Sequence, residues 1–343
     1  MARVIGWDIG GANVKAAALA FNHGRAESGR ELRHSFEIWR DRDGLGPLLQ
    51  GIHKELGAAD AMALTMTAEL ADVFRDKAEG VAFVLRSARE AFAGTPLYAI
   101  DLEGRLIPLD GDEVNLHALA ATNWIAEALV LADRLPDCLM ADIGSTTTDL
   151  IPILGGKLAA KGRRDIERLA SGELIYTGVL RTAVPAIVSQ IPMGGTYCRI
   201  STEYFAIAAD VYVVLNRLDP ENYTCSTPDG RGKSREEALG RLARVVCEDA
   251  EGIRAPQIEV MAAYIAEKQV QQITEGMFHV FSRIDSWLRL PVVPVGIGDF
   301  LGAACARRLD LAIHHPPPLT DSGSPSLSPC SAAAYLLGKA LAG

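Results

Sequence analysis

Two apolar runs, each interrupted by the same small polar motif, organise the hydrophobic pattern of the chain. Residues 138–153, CLMADIGSTTTDLIPI, read as an apolar strand, an Asp-Ile-Gly turn rich in hydroxyls, and a second apolar strand. Residues 4–19, VIGWDIGGANVKAAAL, repeat that pattern, with Asp8 corresponding to Asp142, Gly10 to Gly144 and Lys15 to Asp149, a spacing of 134 residues (142 minus 8). A supersecondary unit that recurs half a chain later predicts two similar domains, here 1–135 and 136–343, facing each other across a cleft. An Asp at a strand end is placed to hold hydrated Mg²⁺, and the glycine lets the backbone turn back tightly. The hydroxyls and N–H groups of residues 145–148 then face any anion in the turn. Either stretch alone reads equally well as an ordinary Gly/Ser hairpin. The repeat is what favours a phosphate clamp.

The remaining pattern fills an alternating α/β chain. Residues 35–40 are strand-like, 46–56 have helical spacing, and 61–67 form a continuous apolar run of the kind buried on both faces of a sheet. That run empties into Glu69. Catalytic groups of α/β proteins cluster past the carboxyl ends of strands, so Glu69 is a candidate. The alternative makes it a first-turn acid of a helix running to Phe92, where the helix dipole favours a carboxylate. Residues 115–131, 203–217 and 234–251 predict amphipathic helices, and 256–288 one long helix or two. The charge run 163–168 predicts a solvated face. Glu173 and Arg181 either line the cleft or form a helical surface pair. Residues 219–233, rich in Pro, Gly, Ser and Asp, predict a long loop that closes over substrate or simply connects two helices. Residues 291–309 read as strand, glycine turn and helix, and an Ala-rich helix at 330–341 ends the pattern.

Composition narrows the function. The 343 residues are 49% hydrophobic, enough to bury a substantial core in two domains. The net charge is −9, with no basic cluster, which argues against nucleic acid as a partner. No apolar run approaches the roughly 18 residues of a membrane span, and Asp8 spoils a leader reading, so a cytoplasmic protein is expected. The six cysteines show no metal or redox spacing and read mainly as small buried hydrophobes. His314 and His315 run into prolines and read as solvated.

The two Asp-Ile-Gly hairpins resemble the phosphate-1 and phosphate-2 motifs of the actin/Hsp70/sugar-kinase superfamily. That implies an α/β fold of duplicated ribonuclease H-like domains. The wording is similar to the hydantoinase/oxoprolinase-like branch, and within it to proteins linked to the tetrahydromethanopterin C1-transfer pathway. The phrases that carry this are TMTAELADVF (65–74), ERLASGELIYTGVLRTAVPAI (167–187), EYFAIAADVYVVL (203–215) and STPDGRGKSREEALGRLAR (226–244). The resemblance implies a transferase of methanofuran-type biosynthesis. It would join a phenolic, γ-glutamyl-tyramine-type acceptor to an aminomethylfuran carrying a diphosphate and release pyrophosphate.

For that chemistry the resemblance implies Mg²⁺ held by Asp8 and Asp142, with Lys15 and the turn N–H groups neutralising the leaving group. Phosphate would be lined by Gly10, Gly11 and Asn13 in the first turn and by Gly144, Ser145, Thr146 and Thr147 in the second. Glu69 or Asp149 would take the phenolic proton. Where ATP-using relatives carry an adenosine motif, Gly296 and Gly298 form a glycine-poor version, which argues against ATP. An ATP-dependent enzyme of the oxoprolinase or sugar-kinase kind and a non-catalytic nucleotide-sensing protein remain alternatives. Small-molecule substrates are the expected partners, and a homo-oligomer is compatible with the sequence.

Overall fold

The structure, a computed structural model, describes residues 2–111, 114–316 and 318–342. It divides into two compact units. The first comprises Met1–Asp137, Ile153–Asp165 and His315–Gly343, and the second Cys138–Pro152 and Ile166–His314.

The first unit opens with β1 (Ala2–Ile9), β2 (Asn13–Asn22) and β3 (Arg25–Ser35), followed by α1 (Leu45–Leu56), β4 (Ala61–Met66), α2 (Lys77–Ala91), β5 (Leu97–Ile100), β6 (Leu106–Pro108) and α3 (Asn123–Arg134). Its sheet has the order β3-β2-β1-β4-β5-β6, with β1 antiparallel to β2 and parallel to β4. This is the strand order of a ribonuclease H-like domain. Ile5, Trp7 and Ile9 of β1 pack into one core with α1 and α2, and Trp7 lies 4.6 Å from Phe92, centroid to centroid. Burying each such side chain contributes about 1.5–3 kcal/mol, so the doubly covered strands dominate the stability of this unit.

The second unit is built on β7 (Cys138–Ile143) and β8 (Thr148–Leu154), the latter extended by a short pairing with β9 (Lys157–Leu158). Then follow α4 (Asp165–Ser171), β10 (Leu174–Ile175), α5 (Val184–Ile187), the hairpin β11 (Gln190–Met193) and β12 (Thr196–Arg199), α6 (Ala208–Val214), α7 (Arg235–Arg244), α8 (Ala255–Phe281), β13 (Val292–Val295) and α9 (Asp299–Arg308). The sheet order is β10-β8-β7-β13, with β13 parallel to β7. The chain ends in α10 (Pro329–Ala342), which belongs to the first unit and crosses β1 so closely that a Cβ on Gly6 would sit 2.0 Å from the Cys330 carbonyl.

Several expected elements differ. β3 ends at Ser35, and residues 36–40 form a turn because Phe36 and Ile38 give their N–H groups to the loop after β1. The helix expected over 115–131 breaks into a 3₁₀ turn, Leu116–Leu119, and α3, with Ala121 between them at φ 52°. Helix α6 is only Ala208–Val214 and α7 only Arg235–Arg244, where Ser234 and Glu237 form a capping box. Residues 256–288 are mostly one helix, α8. Glu69 does not lie in the first turn of α2, which starts eight residues later at Lys77. Three of the six cysteines, Cys138, Cys305 and Cys330, are buried, and none of the six is in a disulfide among the described residues. Among the described residues no helix is long and apolar enough to cross a membrane.

Candidate active site

The first turn links β1 to β2. The Gly10 N–H donates to the Asn13 carbonyl at 2.9 Å, closing the hairpin. The carbonyls of Gly11 and Ala12 accept from Ile38 and Phe36, both at 3.0 Å. Trans peptides point C=O and N–H in opposite directions, so the N–H groups of Ala12 and Asn13 are directed away from residues 36–38. Asp8 and Lys15 are register partners across the hairpin, with Asp8 Oδ2 3.3 Å from Lys15 Nζ. Asp8 Oδ1 and Asn13 Oδ1 are buried without a hydrogen-bond partner among the described residues. Orphaned buried oxygens are costly, and two at one turn mark a place where a ligand completes the bonding.

Glu69 lies where β4 has ended, on a loop whose Thr67 N–H donates to the Ile9 carbonyl at 3.0 Å. Thr67 and Ala68 pack against Gly10 and Gly11. Helix α2 presses on the Glu69 backbone, since a Cβ on Gly80 would lie 2.4 Å from the Glu69 carbonyl oxygen. The carboxyl is 1% exposed, and its Oε2 has no partner among the described residues. Burial pushes its pKa up to about 7, against the pull of its own N–H, Lys77 and the Ala121 N–H. Asp165, which pairs with Lys77 at 2.6 Å, adds to the rise. The left-handed backbone of Ala121 is uncommon for a residue with a side chain, and it aims an N–H at this carboxyl.

The second turn, in the other unit, repeats the geometry. The Gly144 N–H donates to the Thr147 carbonyl at 2.9 Å, the counterpart of Gly10 and Asn13. Asp142 pairs in register with Val295 of the parallel neighbour, as Asp8 pairs with Thr65. The backbone of 178–181 supports this turn. Val179 donates to the Gly144 carbonyl at 3.0 Å, while Leu180 and Arg181 donate to the Ser145 carbonyl at 3.1 and 2.9 Å. The N–H groups of Ser145 and Thr146 therefore point away from that support. Thr148, expected to face the anion, instead gives its hydroxyl to the Thr177 carbonyl at 2.7 Å and is buried.

Some charges sit elsewhere than the pattern suggested. Arg168, within the run expected to be solvated, is 2% exposed and pairs with Asp149. Glu173 is buried against Ser171 and Arg283 and shares no helix with Arg181. Gly296 has φ 82°, and a Cβ there would meet Asp142 Oδ1 at 2.3 Å, while one on Gly298 would meet Ile143 Cγ2 at 2.4 Å. Packing against the end of β7 thus accounts for both glycines. Sequence reading missed Arg168, which ends a mixed charge run, and Gly178, whose Cβ would lie 2.6 Å from Thr146 backbone atoms. The only signal for Gly178 was its place in a family-like phrase.

Among the described residues no three His, Cys, Asp or Glu side chains gather as a protein-only metal cage. Mg²⁺ is usually held by one or two carboxylates plus substrate phosphates and water, and the uncommitted Oδ1 of Asp8 fits that role.

A family model described as hydantoinase/oxoprolinase matches residues 60–329. The chain is 35% identical over 86% of its length to a (4-{4-[2-(gamma-L-glutamylamino)ethyl]phenoxymethyl}furan-2-yl)methanamine synthase from Methanocaldococcus jannaschii, covering 86% of that protein. It is 41% identical over 35% of its length to the protein of the same name from Methanococcus vannielii, covering 54% of that one. In fold it is similar to a nucleotide-free structure of acetone carboxylase, with 11% identity, a TM-score of 0.52, and coverage of 90% of this chain and 67% of that one.

Proposed function

The chain belongs to the hydantoinase/oxoprolinase family, and from that premise we propose that it is a synthase of methanofuran-type cofactor assembly. It is a transferase that joins a γ-glutamylated tyramine, through its phenolic oxygen, to an aminomethylfuran diphosphate. The observation that carries this reading is the 35% identity to the M. jannaschii synthase over 86% of both chains. The name of that relative describes a phenoxymethylfuran, an aryl ether at a furfuryl carbon.

The residues of this chain suit the reaction. In the forward step the phenolic O–H bond breaks and its proton passes to the Glu69 carboxylate. The phenolic oxygen bonds to the furfuryl carbon, and the carbon–oxygen bond to diphosphate breaks with its electron pair leaving on pyrophosphate. A carboxyl titrating near 7 is matched to taking that proton at neutral pH. Asp149 is the weaker base because Arg168 already engages its carboxylate. The N–H groups of Ala12, Asn13, Ser145 and Thr146 and the ammonium of Lys15 receive phosphate oxygens as charge develops on the leaving group. Asp8 and Asp142 would hold Mg²⁺, which would supply further charge neutralisation when bound. Gly296 and Gly298 lend no support to a purine site, so the step is written without ATP.

The test is incubation with aminomethylfuran diphosphate, γ-glutamyltyramine and Mg²⁺ without nucleotide. The expected outcome is pyrophosphate released one-for-one with the ether. An ether formed only when ATP is added would overturn the reading in favour of an ATP-dependent enzyme.

A further inference from the structure

The segment that backs the second turn is itself held from behind by a buried amide. Gly178 lies so close to the turn that its Cβ would sit 2.6 Å from the Thr146 nitrogen and 2.7 Å from the Ser145 carbonyl carbon. Gln269, on α8 and 1% exposed, donates from Nε2 to the Gly178 carbonyl at 2.8 Å and to Thr177 Oγ1 at 2.9 Å. Its Oε1 accepts from the Tyr212 hydroxyl of α6 at 2.6 Å. A carbonyl only accepts, so the Gly178 bond settles which way round this amide sits. A leucine would fill the same place in α8 without a polar cost, so what the amide adds is its bonds.

Those bonds run on toward the anion-binding group. The Gly178 carbonyl and the Val179 N–H belong to one peptide and point in opposite directions. Gln269 engages the carbonyl, and the N–H donates to the Gly144 carbonyl at 3.0 Å. The Gly144 carbonyl in turn shares its peptide with the Ser145 N–H. Tyr212, Gln269 and two successive peptides thus form a single chain of hydrogen bonds, all in one sense, that ends on the Ser145 N–H. Bonds in such a chain polarise one another, so each makes the next N–H a better donor. The near end is firmly seated. A Cβ on Gly276 of α8 would lie 2.3 Å from Ile175 Cδ1 and 3.1 Å from Leu150 Cδ1, and Tyr212 packs edge-on against Phe300, ring centroids 5.1 Å apart. The Thr182 hydroxyl also clasps Gly178, accepting its N–H at 2.8 Å and donating to its carbonyl at 3.1 Å.

We propose that Gln269 is a positioning residue of the phosphoryl site: through the 178–179 and 144–145 peptides it orients and polarises the Ser145 N–H that receives a phosphoryl oxygen. The proposal rests on the diphosphate reading above and adds a residue that never touches the ligand.

Calorimetric titration with Mg²⁺–pyrophosphate tests it. Gln269→Leu weakens binding by about 10- to 100-fold, the scale of a binding group misplaced by a change outside the site. Gln269→Glu makes the affinity depend on pH. Protonated, that carboxyl still donates to the Gly178 carbonyl, whereas ionised it has no donor and sets a negative charge against it. Its affinity relative to wild type at the same pH therefore falls between about pH 6 and about pH 9, the range in which a buried glutamate titrates. Met277→Ala, which opens a cavity two turns along the same helix, lowers the melting temperature but leaves the affinity near that of wild type. Thermal melting shows which variants are folded, and Gln269→Glu carries the test if Gln269→Leu is not. Wild-type affinity in Gln269→Leu, or in Gln269→Glu across that pH range, overturns the assignment and leaves the diphosphate reading standing. An equal loss in Met277→Ala overturns it too, since loosening α8 would then explain the effect. No pyrophosphate binding by the wild type overturns both.

Discussion

Glu69 joins stability and activity in one side chain. Its ordinary pKa of 4.5 is raised to about 7 in the folded protein, so the native state keeps a proton that the unfolded chain has already released over that interval. The stability this group contributes is present below the unfolded value and is lost as pH rises toward 7. As a base it is useful only once ionised, so kcat rises with pH through about 7 and then levels. Glu69→Gln removes both effects. Turnover falls by about 10²- to 10⁴-fold, and the variant melts higher than wild type in mildly alkaline buffer, with the difference vanishing in acid. A pH–rate profile and melts on both sides of neutrality check this pair of outcomes. Asp8 behaves differently. Its Oδ1 has no partner among the described residues and its Oδ2 pairs only with the partly exposed Lys15, so Asp8→Asn lowers turnover by orders of magnitude while leaving the melting temperature close to wild type.

Among the elements, the hairpin β7–β8 depends on partners that come later in the chain. Arg168 on α4 neutralises Asp149 in a nearly dry setting, so Arg168→Met strands a buried carboxylate and costs about 3–5 kcal/mol. Adding Asp149→Leu recovers most of that loss, which denaturant melts of the single and double variants measure. Gly178→Ala drives a methyl into the backbone of Thr146, costs about 1–3 kcal/mol and displaces the turn. Its turnover falls further than its stability does. The hairpins themselves were legible in the sequence because Asp-Ile-Gly between two apolar runs admits few other structures, and β4 was legible as an unbroken apolar run. The partners were not. Arg168 ends a run rich in charge and reads as solvated, since burial of a charge is decided by an acid nineteen positions away in sequence. The break at Ala121 and the short α6 were hidden for a related reason. Apolar spacing continues through both. Tertiary bonds tie Ala121 to Glu69 and the start of α6 to residues 180–184, while a left-handed Asn216 follows the end of α6.

At the scale of the whole molecule, the proposed reaction takes both Asp-Ile-Gly turns to serve one diphosphate. If so, Asp8→Asn and Asp142→Asn each remove the greater part of the catalysis, and the double variant is little worse than either single one, because groups that act as a unit are strongly non-additive. Turns with separate roles would instead give losses that multiply. Steady-state kinetics on the three variants separates the two cases.

In the proposed reaction a carbon–oxygen bond to diphosphate breaks as the aryl ether forms, and isotope placement reads it directly. Aminomethylfuran diphosphate carrying ¹⁸O at the oxygen bridging carbon and phosphorus is turned over with γ-glutamyltyramine, and both products are weighed by mass spectrometry. Displacement at carbon leaves all of the label in pyrophosphate and none in the ether. Label retained in the ether would mean that the furfuryl carbon–oxygen bond survives and the phenolic oxygen is lost instead, which rules out displacement at the furfuryl carbon.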